Sequence, residues 1–273
     1  MTMLLSLRTS IAGLLLLLSA TASQAIVFAV NEGVSYRVPN DEIRSRYAAI
    51  ASDLSKLLKQ PVTIEPVGDY PTLRKGLAAK SYDLAMVHPA HLSIVAIRDT
   101  HYRLVAVTKG FQQYRASFLV RADSPLKSLA DLKGLRLGAP DEDSITAWLV
   151  RATLRDAKLD PKAMAINYMR YQDAIPFAVE NRLTNAGATA ANGVVKDWES
   201  HGGRVLLQSK PVPIKHIIAS PNLSAEQVDK VREYLTALDS TEEGRKKLEP
   251  SRYAGFERFD EGALLATGAW LGL

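Results

Sequence analysis

Two periods of apolar residues divide the chain, and they alternate. Ile26–Val30 is a continuous apolar, β-rich run that predicts a buried strand. Ile43, Tyr47, Ile50, Leu54, Leu57 and Leu58 then recur at helical spacing with charges between them, with Asn40 as a candidate N-cap and Pro61 as the stop. Val62–Pro66 alternates as a strand, and Val67-Gly68-Asp69-Tyr70-Pro71 is a turn leading into a helix through Leu73, Leu77 and Ala78. Leu84–Val87 is a second buried strand. It runs into a polar loop at His88, with Pro89 in the first turn of a helix carrying Leu92, Val95 and Ala96. Leu104–Thr108 closes the series, so the order β-α-β-α-β-α-β predicts a mostly parallel sheet with helices on both faces.

From residue 109 the pattern restarts. Phe118–Arg121 reads as a strand without a long helix before it, Ser124–Gly134 as a short helical turn closed by glycine, and Leu135–Gly138 as a strand. Asp141–Ser144 opens a helix bearing Trp148, Leu149, Ala152 and Leu154. A strand at Ile166–Met169, a helix at Ala174–Val179, a small-residue strand at Asn185–Ala190, a helix with Trp198 and a strand at Val205–Gln208 complete a second α/β unit. Pro211 and Pro213 bracket a return segment before a strand at Ile214–Ala219. Ser224 with Gln227 forms a capping box ahead of Val228, Val231, Leu235 and Leu238. Helix is expected to about Lys247 and loop beyond it. The expectation is an α/β protein of two Rossmann-like lobes, 26–110 with 212–273 and 111–211. Hinge segments near 109–115 and 208–213 join them around a cleft.

The first residues stand outside this scheme. Arg8 precedes an apolar run from Ile11 to Leu18 that is too short to span a bilayer, and Ser19–Ala25 is small and polar with an A-x-A-like cleavage pattern. Residues 1–25 are read as a secretory signal peptide, which directs the mature chain to the periplasm. No Cys follows the apolar run, so attachment through a lipobox cysteine is excluded. The net charge of +5 falls to +4 once Arg8 leaves with the leader. No basic run with interleaved aromatics suggests nucleic-acid binding. With no cysteine, disulfides and thiol chemistry are out, and the fold must rest on its core. No second long apolar run follows, so the mature protein is expected to be soluble.

The loop at His88 lies at the carboxyl end of a strand and the amino end of a helix, where open α/β sheets take ligands and helix N-termini favour anions. His88 and His91, three apart, would share a face on a helix and could serve a transition metal, although no Cys or adjacent Glu completes such a site. His88 could equally hydrogen-bond an anionic ligand or simply line the loop; His91 reads as structural or exposed. No G-x-S-x-G elbow, H-E-x-x-H or P-loop is present, so an enzyme is not expected, and no cofactor.

Several pieces, in this order, resemble the phosphate/phosphite/phosphonate-binding proteins of ABC transporters, the PhnD-like family. They are the leader, Asp69-Tyr70, Asp83-Leu84-Ala85, Ser128–Gly134, Ser144-x-Thr146, Ala178-Val179-x-Asn181 and Asn185–Ala188. The resemblance covers residues 26–260. It implies a two-lobed, type II-like periplasmic binding protein that captures a small anion as a monomer and hands it to a membrane permease; a ligand sensor read by a membrane receptor is the alternative. It also implies that Tyr70 from the first lobe and Ser144 and Thr146 from the second hold the oxyanion. Ser144 can cap its helix and bind ligand at once. His88, Ser35 and Tyr36 are further first-lobe candidates, and Gln172 a further second-lobe one. The chain departs from the family where Val87 and His88 replace a Gly or small residue, and where Ser144-Ile145-Thr146-Ala147 replaces Ser-Thr-Ser-Gly. Gln172 and Asp173 replace a His-Glu pair, and Thr189 replaces the acidic residue that pairs an amine. A ligand with a free amine is therefore disfavoured.

Overall fold

The computed structural model describes residues 25–33 and 38–273. The leader through residue 24 and the candidates Ser35 and Tyr36 lie outside the described residues. The first lobe is built from β1 (Ile26–Val30), α1 (Asn40–Leu58), β2 (Val62–Pro66), α2 (Tyr70–Ala78), β3 (Leu84–Val87), α3 (Ala90–Thr100) and β4 (Arg103–Thr108). The second contains β5 (Ser117–Val120), β6 (Arg136–Pro140), α4 (Ile145–Asp156), β7 (Ala165–Met169), α5 (Ala174–Glu180), β8 (Ala186–Thr189), α6 (Asn192–Ser200) and β9 (Arg204–Gln208). The chain then supplies β10 (His216–Ala219), α7 (Ala225–Ala237), α8 (Glu242–Leu248), β11 (Phe256–Glu257) and α9 (Glu261–Leu271).

Two sheets result, in the orders β11-β4-β10-β3-β1-β2 and β7-β6-β8-β5-β9. The first is parallel through β2, β1 and β3, as alternating helices require, but β10 enters antiparallel between β3 and β4. That insertion sets His216 opposite both Val87 and Val107. The segments predicted as hinges run side by side: Tyr114 N–H donates to Val212 O (3.3 Å) and Val212 N–H to Tyr114 O (3.0 Å). A core of Phe28, Tyr47, Leu54, Met86, Val231 and Leu235 fills the side of the first sheet under α1 and α7. The opposite side joins a cluster that continues from Leu77 and Ile94 through Leu264 and Leu271 into Leu149 and Phe118 of the second lobe.

Local signals explain most element ends. Asp69 Oδ1 accepts from Thr72 N–H (2.7 Å), and Ser224 and Gln227 complete the predicted capping box. Three expectations are corrected. Asn40 is the first residue of α1, with Pro39 at the cap position, so its side chain caps nothing. Pro89 is likewise the cap residue of α3 and not within its first turn. The C-terminal stretch is not loop: Asp260 accepts from Ala263 N–H (2.6 Å) and starts α9. That helix lies against both lobes. Leu104 N–H donates to Glu261 Oε2 (2.6 Å), Ile94 packs where a Cβ on Gly268 would sit, and Arg155 donates to the carbonyls of Trp270 (2.9 Å) and Leu271 (2.7 Å). Among the described residues no helix is long and apolar enough to cross a membrane.

Candidate functional site

The carboxyl ends of β1, β3 and β4 and the start of β10 lie at one edge of the first sheet, because β10 runs antiparallel to its neighbours. The ends of β6 and β8 and the start of β5 lie together in the second. The chain crosses between the lobes from these edges, after β4 and β9, so they bound the cleft. Short loops at such edges deliver helix N-termini to it.

Two helix starts meet across the cleft. Tyr70 opens α2 beneath its Asp69 cap, is 9% exposed, and meets the His91 ring edge-on at 6.2 Å. His91, in the first turn of α3, is 2% exposed and lies 5.8 Å from the Trp148 ring of α4. Arg74 of α2 donates to Asp143 Oδ2 at 2.9 Å and Oδ1 at 3.1 Å, an ion pair that joins the lobes. His91 Nε2 stands 3.4 Å from Asp143 Oδ1 without hydrogen-bond alignment, and neither ring nitrogen has a hydrogen-bond partner among the described residues. His91 and Arg74 together hold the Asp143 carboxyl down at about 2. Burial in turn keeps the His91 imidazole below its ordinary range, against the opposing pull of Asp143.

Ser144 is the N-cap of α4: its hydroxyl oxygen accepts from Ala147 N–H (3.1 Å), which leaves its own proton available as a donor at the helix start. Capping and ligand donation thus coexist geometrically. Thr146 is fully buried, and its hydroxyl lies 2.9 Å from Tyr114 Oη. Gln172 Nε2 donates to the same Tyr114 oxygen (3.2 Å), while its carbonyl accepts from the Thr189 hydroxyl (3.0 Å) and Ala190 N–H (2.6 Å). Having accepted from Gln172, Tyr114 can pass its own proton to Thr146, so the chain of donors points toward the start of α4. Burial raises the Tyr114 phenol above its ordinary range, so it stays protonated as a donor.

The structure therefore sets Tyr70 against His91, which lies beside Trp148 of α4 and Asp143 just before Ser144, and joins Thr146 and Gln172 through Tyr114 in a neutral network. It sets His88 apart. His88 follows β3, is joined to Pro89 by a cis peptide, and places Nδ1 3.2 Å from Glu32 O. Burial, then the Lys215 charge, lowers its pKa to about 4, so the ring is neutral at physiological pH. The shared helical face expected for His88 and His91 does not exist, because α3 begins only at Ala90 and the two rings face different neighbours. Among the described residues no group of three or more His, Asp or Glu side chains is placed to hold a metal ion.

Reading the sequence missed Tyr114, Arg74, Asp143 and Lys215. Asp143 precedes a recognised helix start and could have been read as a neighbour of the site. Tyr114 and Lys215 carry no local signal, since only the pairing of distant segments brings them to the cleft.

The sequence matches the family described as ABC transporter, phosphonate, periplasmic substrate-binding protein over residues 33–263. No curated protein sequence matches the chain. Among solved structures it is similar to XAC2383 from Xanthomonas citri bound to ATP, with a TM-score of 0.70 and 15% identity, over 91% of this chain and 97% of that one. It is similar to PhnD1 from Prochlorococcus marinus in complex with methylphosphonate, with a TM-score of 0.64 and 17% identity, over 90% and 96%. A binding protein component of an ABC phosphonate transporter from Pseudomonas aeruginosa gives 0.61 and 20% identity, over 91% and 85%. At these identities the structures speak for the fold, which is that of two-lobed periplasmic binding proteins. The family match extends over most of the sequence and carries the assignment: this chain belongs to the phosphonate family of periplasmic substrate-binding proteins of ABC transporters.

Proposed function

We propose that the protein captures a small oxyanion of the phosphate, phosphite or phosphonate class in the periplasm and delivers it to an ABC permease. Lobes 26–110 with 212–273 and 111–211 would close about the paired segments near Tyr114 and Val212, and residues 1–25 would be removed on export. The observation that supports this reading is the meeting of the first turns of α3 and α4 through His91 and Trp148, with Tyr70 against His91 and the Ser144 hydroxyl capping α4. Helix-start N–H groups and neutral hydroxyls bind an oxyanion with fixed dipoles and need no full counter-charge. Water leaves on closure, which strengthens each of these bonds. Affinity then follows from how much better the closed form holds the ion. The PhnD1 structure holds methylphosphonate, a ligand without an amine. Thr189, fully buried and bonded to Gln172, offers no carboxylate for an amine either.

The test is a thermal melt of residues 26–273 with phosphate, phosphite, methylphosphonate, 2-aminoethylphosphonate, sulfate and Zn²⁺. A true ligand at a hundredfold excess over its Kd stabilises by about 2.7 kcal/mol. One or more phosphorus oxyanions should raise Tm, with methylphosphonate at least as effective as its amino analogue. A Tm unmoved by every oxyanion contradicts the proposal.

A further inference from the structure

Past the ends of its strands the first sheet carries a polar row that the proposed oxyanion contacts leave unused. Val30 pairs with Met86, His216 with Val87 and His216 with Val107. Continuing these registers by one or two residues aligns Glu32, His88, Lys215 and Thr108 side by side. The contacts agree: His88 Nδ1 lies 3.2 Å from Glu32 O, and Thr108 N–H donates to Lys215 O at 3.0 Å. Because the side-chain period is two, His88 and Lys215 lie on the same side of the sheet as Met86 and Ile217.

The charges in this row are unevenly matched. Glu32 is saturated, accepting from Arg46 (2.6 Å), Tyr47 (2.8 Å) and Tyr253 (3.4 Å). Lys215 is not. Its ammonium sits 4.2 Å over the Phe111 ring and 4.6 Å over the Tyr253 ring, and donates to Tyr253 Oη at 3.2 Å. Among the described residues no carboxylate lies within ion-pair distance of it, and Tyr253 Oη is the one oxygen its ammonium reaches. Thr108, opposite Lys215, is 1% exposed, and its hydroxyl has no hydrogen-bond partner among the described residues. A half-buried cation and a buried orphan hydroxyl in one row are costly unless an acceptor comes to them. Burial already pulls the Lys215 pKa down, with Glu32 opposing. Phe111 belongs to the segment that leaves for the second lobe, so the row borders the cleft.

We propose that Lys215, with the Thr108 hydroxyl and the His88 ring, forms a second anion subsite on the first-lobe wall. The physiological ligand is then a phosphonate or phosphate that carries a second anionic group. This rests on the oxyanion reading above and narrows it to two-headed anions.

Calorimetric titration of the purified protein with methylphosphonate and with a series of phosphonocarboxylates of two to four carbons tests it. At least one phosphonocarboxylate should bind tenfold or more tighter than methylphosphonate. Lys215→Met, which keeps the stem on Phe111 and Tyr253, should erase that advantage and leave methylphosphonate affinity unchanged. Thr108→Val should reduce the advantage several-fold, and it carries the test should Lys215→Met fail to fold. The inference is overturned if methylphosphonate binds but no member of the series gains, or if the gain survives both substitutions. Binding of neither class overturns the oxyanion reading and this inference with it.

Discussion

The two walls of the cleft solve the same problem by different means. On the second-lobe side, Tyr114, Thr146, Gln172 and Thr189 form a neutral chain in which each buried polar group has a named partner. On the first-lobe side, three histidines with lowered pKa, one ion-paired Glu32 and an unpaired Lys215 share a buried edge. A satisfied neutral network is rigid and indifferent to pH, and it presents fixed dipoles. A charged edge with orphan donors is incomplete without a ligand and responds to protons. Under the proposed function the second lobe would supply a standing template for an oxyanion and the first the discrimination.

The largest expected effect separates the walls by acidity. His88 and His216 have pKa values of about 4 and about 3, against an ordinary 6.5, because burial disfavours their charged forms. Lowered histidine values mean that the unfolded chain takes up protons first. Stability is therefore complete above about pH 6.5 and declines as pH falls toward 4, by up to about 1.4 kcal/mol per pH unit for each residue. All of these histidines lie in the first lobe, and the second lobe has only His201, which is exposed. Hydrogen exchange at pH 7 and pH 4.5, corrected for intrinsic rates, should lose protection in the first sheet while the second keeps it. Equal losses in both would erase the contrast.

Tyr114→Phe comes next. It removes the oxygen that Gln172 and Thr146 share and leaves the buried Thr146 hydroxyl and the half-buried Gln172 amide without it, a cost of about 1–3 kcal/mol. Chemical denaturation should show that loss, together with weaker oxyanion binding. A neutral result would mean that the second wall is not held by its hydrogen bonds. The smallest effect concerns the contact that joins the walls. Arg74 and Asp143 are each more than 40% exposed, and such pairs contribute roughly 0.2–1 kcal/mol. Arg74→Ala should therefore weaken anion affinity by no more than about fivefold, with less effect at high salt. Because the folded Asp143 value lies at about 2, below its ordinary 3.8, this contact persists above about pH 4 and is lost as pH falls toward 2. A tenfold or greater loss in Arg74→Ala would make the ion pair a principal clamp.

Local signals carried much of this architecture. The alternation of periods specifies two α/β units, and the Ser224 box and the Asp69 and Ser144 caps are legible because their partners lie within three residues. What depends on distant pairing is not. The antiparallel entry of β10 between β3 and β4 makes Lys215 a neighbour of His88, and no nearby residue announces it. Helix α9 is hidden by its small residues: Gly262 and Gly268 weaken its helical pattern, yet Gly268 is what lets the helix approach Ile94. His88 and His91 were misjudged by a boundary of two residues, since a helix that starts at Ala90 turns a shared face into two separate environments. Tyr70 and Ser144, which the family resemblance puts forward, do stand at helix openings, where local sequence signals are strongest.

The central claim is that an oxyanion sits where the start of α4 faces Tyr70. Calorimetric titration of methylphosphonate into the wild type and into Ser144→Ala tests it most directly. The account predicts one site per chain in the wild type and at least a tenfold weaker Kd in Ser144→Ala, with the fold of the variant checked by its melt. An unchanged Kd in a folded Ser144→Ala variant would contradict it.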